Sequence, residues 1–135
     1  MTRWQWLLAA VAAVQLGWGV MAFVDYARAV GATGDATSGW VFTALGLAGL
    51  LTLVWPRFGF LAAVGQAAVA AHALCWLPLA LFCLRVWLGP FPLVPIPPAV
   101  SLLILQMAVT TAALCLLGAL GSWQVARQRR VMVLG

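Results

Sequence analysis

The side chain with the clearest capacity for chemistry is His72, the only histidine of the chain. It lies in the middle of a long apolar stretch, where an ionisable group is a functional hypothesis by default. Ala68, His72 and Trp76 are spaced by four residues, so in a helix they share one face. The small Ala68 leaves room for a flat ring, and a neutral imidazole can coordinate the metal of that ring. The pattern therefore predicts His72 as a candidate cofactor ligand.

The string 68–76 resembles the antenna polypeptides that bind bacteriochlorophyll, which have an Ala four residues before the ligand His and often a Trp shortly after it. The resemblance covers about nine of 135 residues and implies His72 as the magnesium ligand and Trp76 as a ring contact. Antenna polypeptides cross the membrane once. A chlorin needs one axial His and a bis-His haem needs two, so bacteriochlorophyll fits better than haem unless another chain supplies the second ligand.

The competing interpretation of His72 is a neutral histidine that is hydrogen-bonded across a helix bundle. Its candidate partners are the side chains of Gln15, Gln106 and Thr110 and the carbonyl of Leu74, which Pro78 releases. Three glutamines, Gln15, Gln66 and Gln106, lie inside different apolar stretches. Buried amides of this kind either line a polar path or bond helices together, and the second role is the commoner one. Trp18 and Trp76 lie deep in their stretches. They are expected to pack as core aromatics or, as the alternative, against a pigment, a quinone or a lipid tail.

Other catalytic arrangements are missing. The chain has no Lys and no Glu, and its two aspartates, Asp25 and Asp35, lie at or beyond the end of an apolar stretch. Ion-coupled transport and carboxylate or triad catalysis therefore lack their usual groups within this chain. Three cysteines inside apolar stretches, with no CxxC pair, indicate packing residues rather than a disulfide or zinc framework. We expect a protein that is not an enzyme.

Composition indicates that lipid surrounds most of these residues. Hydrophobic residues make up 66% of the chain and charged residues 7%, whereas a soluble domain usually carries about 25% charged residues. All seven cations are arginines scattered between apolar stretches, so no contiguous basic face for nucleic acid exists. The prediction is an all-α bundle of four transmembrane helices in one membrane domain. The predicted spans are 4–24, 40–55, 58–87 and 99–122.

Prolines and glycines shape these spans. Pro56 should end the second span, and Arg57 marks a tight turn to the third. The third span is long, and Pro78 predicts a kink in it near Leu74. Gly46 and Gly49 should form a smooth face for a close helix neighbour. The residues between the spans form a polar loop at 25–39 and a proline strap at 89–98.

Arginine counts predict the orientation. The N-terminus, the turn at Arg57 and the tail at 123–135 share one side, which holds five of the seven arginines, so both termini should be cytoplasmic. The abundance of Ala, Gly, Val and Arg without Lys is typical of a GC-rich bacterial genome, which places the chain in a bacterial inner membrane.

Two regions are candidate contacts for partners or membrane lipid. The strap offers apolar and rigid residues. The tail offers cations that could bind an anionic lipid or an acidic patch of a partner, or that could act only as a topology signal. The residues concerned are Pro90, Phe91, Pro92, Pro95, Arg127, Arg129 and Arg130.

The layout resembles the DoxX-like small four-helix bacterial membrane proteins. The features that carry the resemblance are the Gly-rich second span (45–50), the basic turn (55–58) and the Ala-rich third span. The resemblance implies an accessory subunit of a membrane oxidoreductase system. We therefore expect a non-catalytic accessory or structural subunit of a larger membrane complex, respiratory or photosynthetic. The alternatives are a tetrapyrrole carrier that uses His72, and a small transporter or channel.

Overall fold

The computed structural model describes residues 1–28, 37–87 and 98–135, apart from the side chains of Tyr26, Arg28, residues 83–87 and Pro98. This part of the chain is helical and contains no strand, which confirms the predicted all-α class. The elements are α1 (Arg3–Arg28), α2 (Thr37–Val54), a 3-10 turn (Pro56–Phe58), α3 (Gly59–Trp87) and α4 (Pro98–Leu134).

All four helices are long and apolar enough to cross a membrane. The shortest, α2, has 18 residues and is therefore about 27 Å long, close to the hydrocarbon thickness of a bilayer. The longest, α4, has 37 residues, so it continues through the predicted tail as far as Leu134. Many large apolar side chains lie on the outside of these helices, where lipid can solvate them.

Prolines fix the boundary between α2 and α3 as expected. The second helix ends at Val54, and Pro56 occupies the first position of the 3-10 turn, where its missing N–H costs nothing. The third helix, in contrast, continues through Pro78. The kink near Pro78 stays a prediction.

The two connecting segments of the predicted topology are only partly described. Helix α1 extends to Arg28 and α2 begins at Thr37, so both helices enter the predicted loop 25–39. The rest of that loop and the strap residues Pro90, Phe91, Pro92 and Pro95 lie outside the described residues.

The chain divides into two compact units. The first unit comprises residues 1–66 and 117–135, and the second comprises residues 67–116. In the first unit, parts of all four helices pack through small residues. A Cβ atom built on Gly46 would lie 2.6 Å from Cγ of Leu16, and one on Gly49 would lie 3.1 Å from Cβ of Ala12. These distances confirm the predicted close approach of a neighbour to the glycine face of α2.

The same kind of contact joins the other helices of the first unit. A Cβ on Gly59 of α3 would lie 2.8 Å from Cβ of Ala126 in α4, and one on Gly121 would lie 3.4 Å from Cβ of Leu8 in α1. In the second unit, the buried side chains are again mostly small, among them Ala70, Ala73, Ala80, Ala108 and Ala112. Helices in lipid gain little from the hydrophobic effect, so close van der Waals packing of small residues stabilises their association.

Candidate functional site

The Ala68–His72–Trp76 face of α3 lies in the second unit, and all three residues are exposed. The indole Nε1 of Trp76 donates a hydrogen bond of 3.3 Å to Nε2 of His72, and the two rings meet edge-on at 78°. Within the residues that the structure describes, His72 has no hydrogen bond to Gln15, Gln106 or Thr110, so the interpretation as a histidine bonded across the bundle is wrong there. The reason is helical geometry, because the buried residues Ala70 and Ala73 lie on a different side of the helix.

The bond from Trp76 is compatible with one tautomer of a neutral His72. In a neutral ring, an Nε2 atom that accepts a hydrogen bond leaves the proton on Nδ1. Within the described part of the chain, no acceptor bonds to this Nδ1–H group. The expectation that Trp76 packs in a core is also wrong, because its side chain is 45% exposed.

On this face of α3, His72 could be the single axial ligand of a cofactor. Coordination through Nε2 of His72 would require displacement of the 3.3 Å bond from Trp76. Ala68 adds no bulk beside the ring. The described residues contain no group of three His, Cys, Asp or Glu side chains that could hold a metal ion by themselves.

Two of the three glutamines form a closed pair inside the first unit. Nε2 of Gln15 donates to Oε1 of Gln66 at 2.7 Å, and Nε2 of Gln66 donates back to Oε1 of Gln15 at 3.0 Å. Both side chains are fully buried. This reciprocal amide pair joins α1 to α3 and confirms the predicted helix-bonding role for Gln15 and Gln66.

A glycine of α4 covers the amide pair. A Cβ atom on Gly118 would lie 2.8 Å from the carboxamide carbon of Gln66, so only glycine fits there without a shift. The third glutamine differs. Gln106 is exposed, and its backbone carbonyl accepts a bond from the hydroxyl of Thr110 on the same helix. The predicted role in bonding helices is therefore wrong for Gln106.

The arginines of the tail do not form one cluster. Arg129 and Arg130 line a groove together with Arg57, whose position in the 3-10 turn brings it to the same end of the first unit. Arg127 lines a different groove, beside Thr2 and Gln128. Sequence reasoning treated Arg57 only as a topology signal. Its predicted location on the same side as the tail was the signal that could have assigned it to this site.

The fold and these sites define a multi-pass helical membrane protein. Comparisons with known proteins find no matching family model, no matching curated protein and no matching solved structure, so they assign no family within this class.

Proposed function

We propose that this chain is a non-catalytic accessory subunit that docks onto a larger membrane protein complex through the Ala68–His72–Trp76 face of α3. The observation that carries the proposal is the environment of His72, an exposed ionisable side chain in a membrane helix. Within the described part of the chain, it receives a hydrogen bond from its own helix alone. Such residues normally face a protein interior or a polar partner.

The chemistry of the expected partner follows from the tautomer of His72. Its Nδ1–H group is a donor at membrane depth, and an unsatisfied donor in hydrocarbon costs several kcal/mol, on the order of 2–7. A transmembrane helix of the partner that presents a carbonyl, hydroxyl or amide oxygen would satisfy this group. The small Ala68 would allow that helix a close approach.

The buried amide pair argues against a transporter or channel. A translocation path needs polar groups that face a cavity, but Gln15 and Gln66 are fully buried and bond to each other, and Gly118 packs directly against Gln66. The only carboxylate side chains of the sequence are those of Asp25, in the last turn of α1, and Asp35. The Gln15–Gln66 pair therefore holds α1 and α3 together.

The arginine distribution supports a bacterial inner membrane with both termini in the cytoplasm. Thr2 donates a hydrogen bond of 3.3 Å to Oε1 of Gln128, so the start of α1 and the last turns of α4 lie at one end of the first unit. This end also holds Arg57, Arg129 and Arg130, as the positive-inside rule predicts for the cytoplasmic side. A DoxX-like accessory role in a respiratory or photosynthetic complex agrees with this arrangement.

Two variants in which an alanine of α3 is replaced by tryptophan test the docking face. Ala68→Trp places bulk on the proposed face, whereas Ala67→Trp places the same bulk on an exposed position about 100° around the helix. After extraction in a mild detergent, we expect proteins that co-elute with the wild-type chain to be reduced at least about tenfold by Ala68→Trp, a loss of about 1.4 kcal/mol or more in binding. Ala67→Trp should leave them unchanged. Equal recovery with both variants would exclude this face as the interface.

The second candidate is a tetrapyrrole carrier, which the exposure of His72 beside the small Ala68 also favours. The absorption spectrum of the same eluate separates the two candidates. A tetrapyrrole band that His72→Ala removes supports the carrier, with the chlorin or haem metal held by His72. A spectrum without such a band, together with partners lost from Ala68→Trp, supports the docking subunit.

A further inference from the structure

We propose that the groove lined by Arg57, Arg129 and Arg130 binds the phosphate headgroup of an anionic phospholipid. This groove belongs entirely to the first unit and has a volume of about 470 Å³. Its remaining walls are apolar, formed by Phe60, Ala126, Val133 and Leu134. The proposal does not rest on the docking face of α3, which lies in the second unit.

The charges of the groove select an anion. Three guanidinium groups line it, and within the described residues no carboxylate does. Neither Arg57 nor Arg129 has an ion-pair or hydrogen-bond partner in that part of the chain. Guanidinium groups bind phosphate oxygens through paired, charge-assisted hydrogen bonds. A choline or ethanolamine group would find no counter-ion there, so an anionic lipid should bind more tightly than a zwitterionic one.

One of the three cations is already held in place. The guanidinium of Arg130 lies 4.3 Å from the ring centroid of Phe60, and the Phe60 ring packs edge-on against Trp123 at 4.8 Å. A cation–π contact of this kind restricts the arginine before a ligand binds. The loss of side-chain entropy on binding is smaller as a result.

The position of the groove indicates a lipid rather than free phosphate. Trp55 and Trp123, both about half exposed, lie close in sequence to Arg57 and Arg129, and exposed tryptophans at span ends mark the level of the headgroups. The apolar walls of the groove add contact area for the glycerol and upper acyl carbons. Inorganic phosphate could use only the arginines.

The chain provides a matched control. Arg127 is also on α4 and also exposed, but it lines a separate groove of about 400 Å³ with Thr2, Gln124 and Gln128, in which it is the only charged residue. Arg129→Gln and Arg127→Gln therefore remove the same charge from the same helix, one inside and one outside the proposed site.

Native mass spectrometry of the purified full chain in detergent measures lipid binding directly. We expect one saturable phosphatidylglycerol site, with phosphatidylcholine bound at least about tenfold more weakly. Arg129→Gln should weaken the binding of phosphatidylglycerol about tenfold, because one charge-assisted contact is lost. Arg127→Gln should weaken this binding less than about twofold. Arg129→Lys keeps the charge without the planar fork and should fall between the two.

Three results would overturn the proposal. If the wild-type chain bound the two lipids equally, no headgroup site would exist, and this result would need no variant. The groove would then be assigned to an acidic protein segment instead. Equal losses in Arg127→Gln and Arg129→Gln would indicate unspecific attraction to net charge. Displacement of the lipid by millimolar inorganic phosphate would show that the groove recognises phosphate itself.

Discussion

Gln66 and His72 lie on the same helix, α3, and show two ways of placing a polar side chain in a membrane. Gln66 is fully buried in the first unit, bonded twice to Gln15 and packed against Gly118. His72, in the second unit, is exposed, and among the described residues its hydrogen-bond partner is Trp76, one turn further along its own helix. Both lie in an Ala-rich stretch of similar composition.

The difference shows what each polar group is able to do. The amide pair bonds α1 to α3 inside the unit, so it contributes to stability. The imidazole keeps a donor that no neighbour in the described part of the chain satisfies. For this reason we assign structure to Gln66 and recognition to His72.

The largest effect should follow from filling the space beside the amide pair. Gly118→Ala places a Cβ 2.8 Å from the carboxamide of Gln66, so we expect the free energy of unfolding to fall by about 1–3 kcal/mol, the usual cost of overpacking. Gly65→Ala is the control, because its Cβ would meet nothing within 4 Å. It should stabilise the chain slightly, since Ala is a better helix former by about 1 kcal/mol. Unfolding by dodecyl sulfate in mixed micelles measures the free energy of unfolding of both variants. Equal values for the two variants would contradict the close contact between Gly118 and Gln66.

A smaller effect should follow from removing the polar groups themselves. Gln66→Leu keeps the volume but removes two interhelical hydrogen bonds, so we expect a loss of about 1–2 kcal/mol. The double variant Gln15→Leu/Gln66→Leu should recover part of it, because both partners then become apolar. His72→Leu, at an exposed position, should change the unfolding free energy by less than about 0.5 kcal/mol. If His72→Leu costs as much as Gln66→Leu in the same micelles, the comparison fails.

Much of the fold follows from sequence because membrane helices obey strong local rules. Apolar length predicted all four helices, and Pro56 predicted the boundary between α2 and α3. The spacing of Gly46 and Gly49 predicted a face that a neighbour approaches closely. The helical continuation through 123–134 was not predicted, because its arginines and glutamines indicate the end of a span. These residues are also good helix formers, so the helix continues beyond the span.

The sites were harder to predict because they depend on which side of a helix a residue faces. Sequence reasoning identified the amides as helix-bonding groups, but it could not choose Gln66 as the partner of Gln15 or exclude Gln106. It left two interpretations of His72 open, a cofactor ligand and a partner across the bundle, and it did not predict that the side chain is exposed. In an Ala-rich helix the apolar residues continue all the way round, so periodicity does not distinguish the buried side from the exposed one.

The central claim is that the chain crosses the membrane four times and returns its ends to one side. Thr2→Cys and Gln128→Cys, each in a chain whose three native cysteines are replaced by Ala, test it with a membrane-impermeant maleimide on sealed vesicles of both orientations. We predict that both positions react from the same side, and that a short bifunctional maleimide cross-links the two cysteines when they are placed in one chain. Reaction from opposite sides would contradict the account.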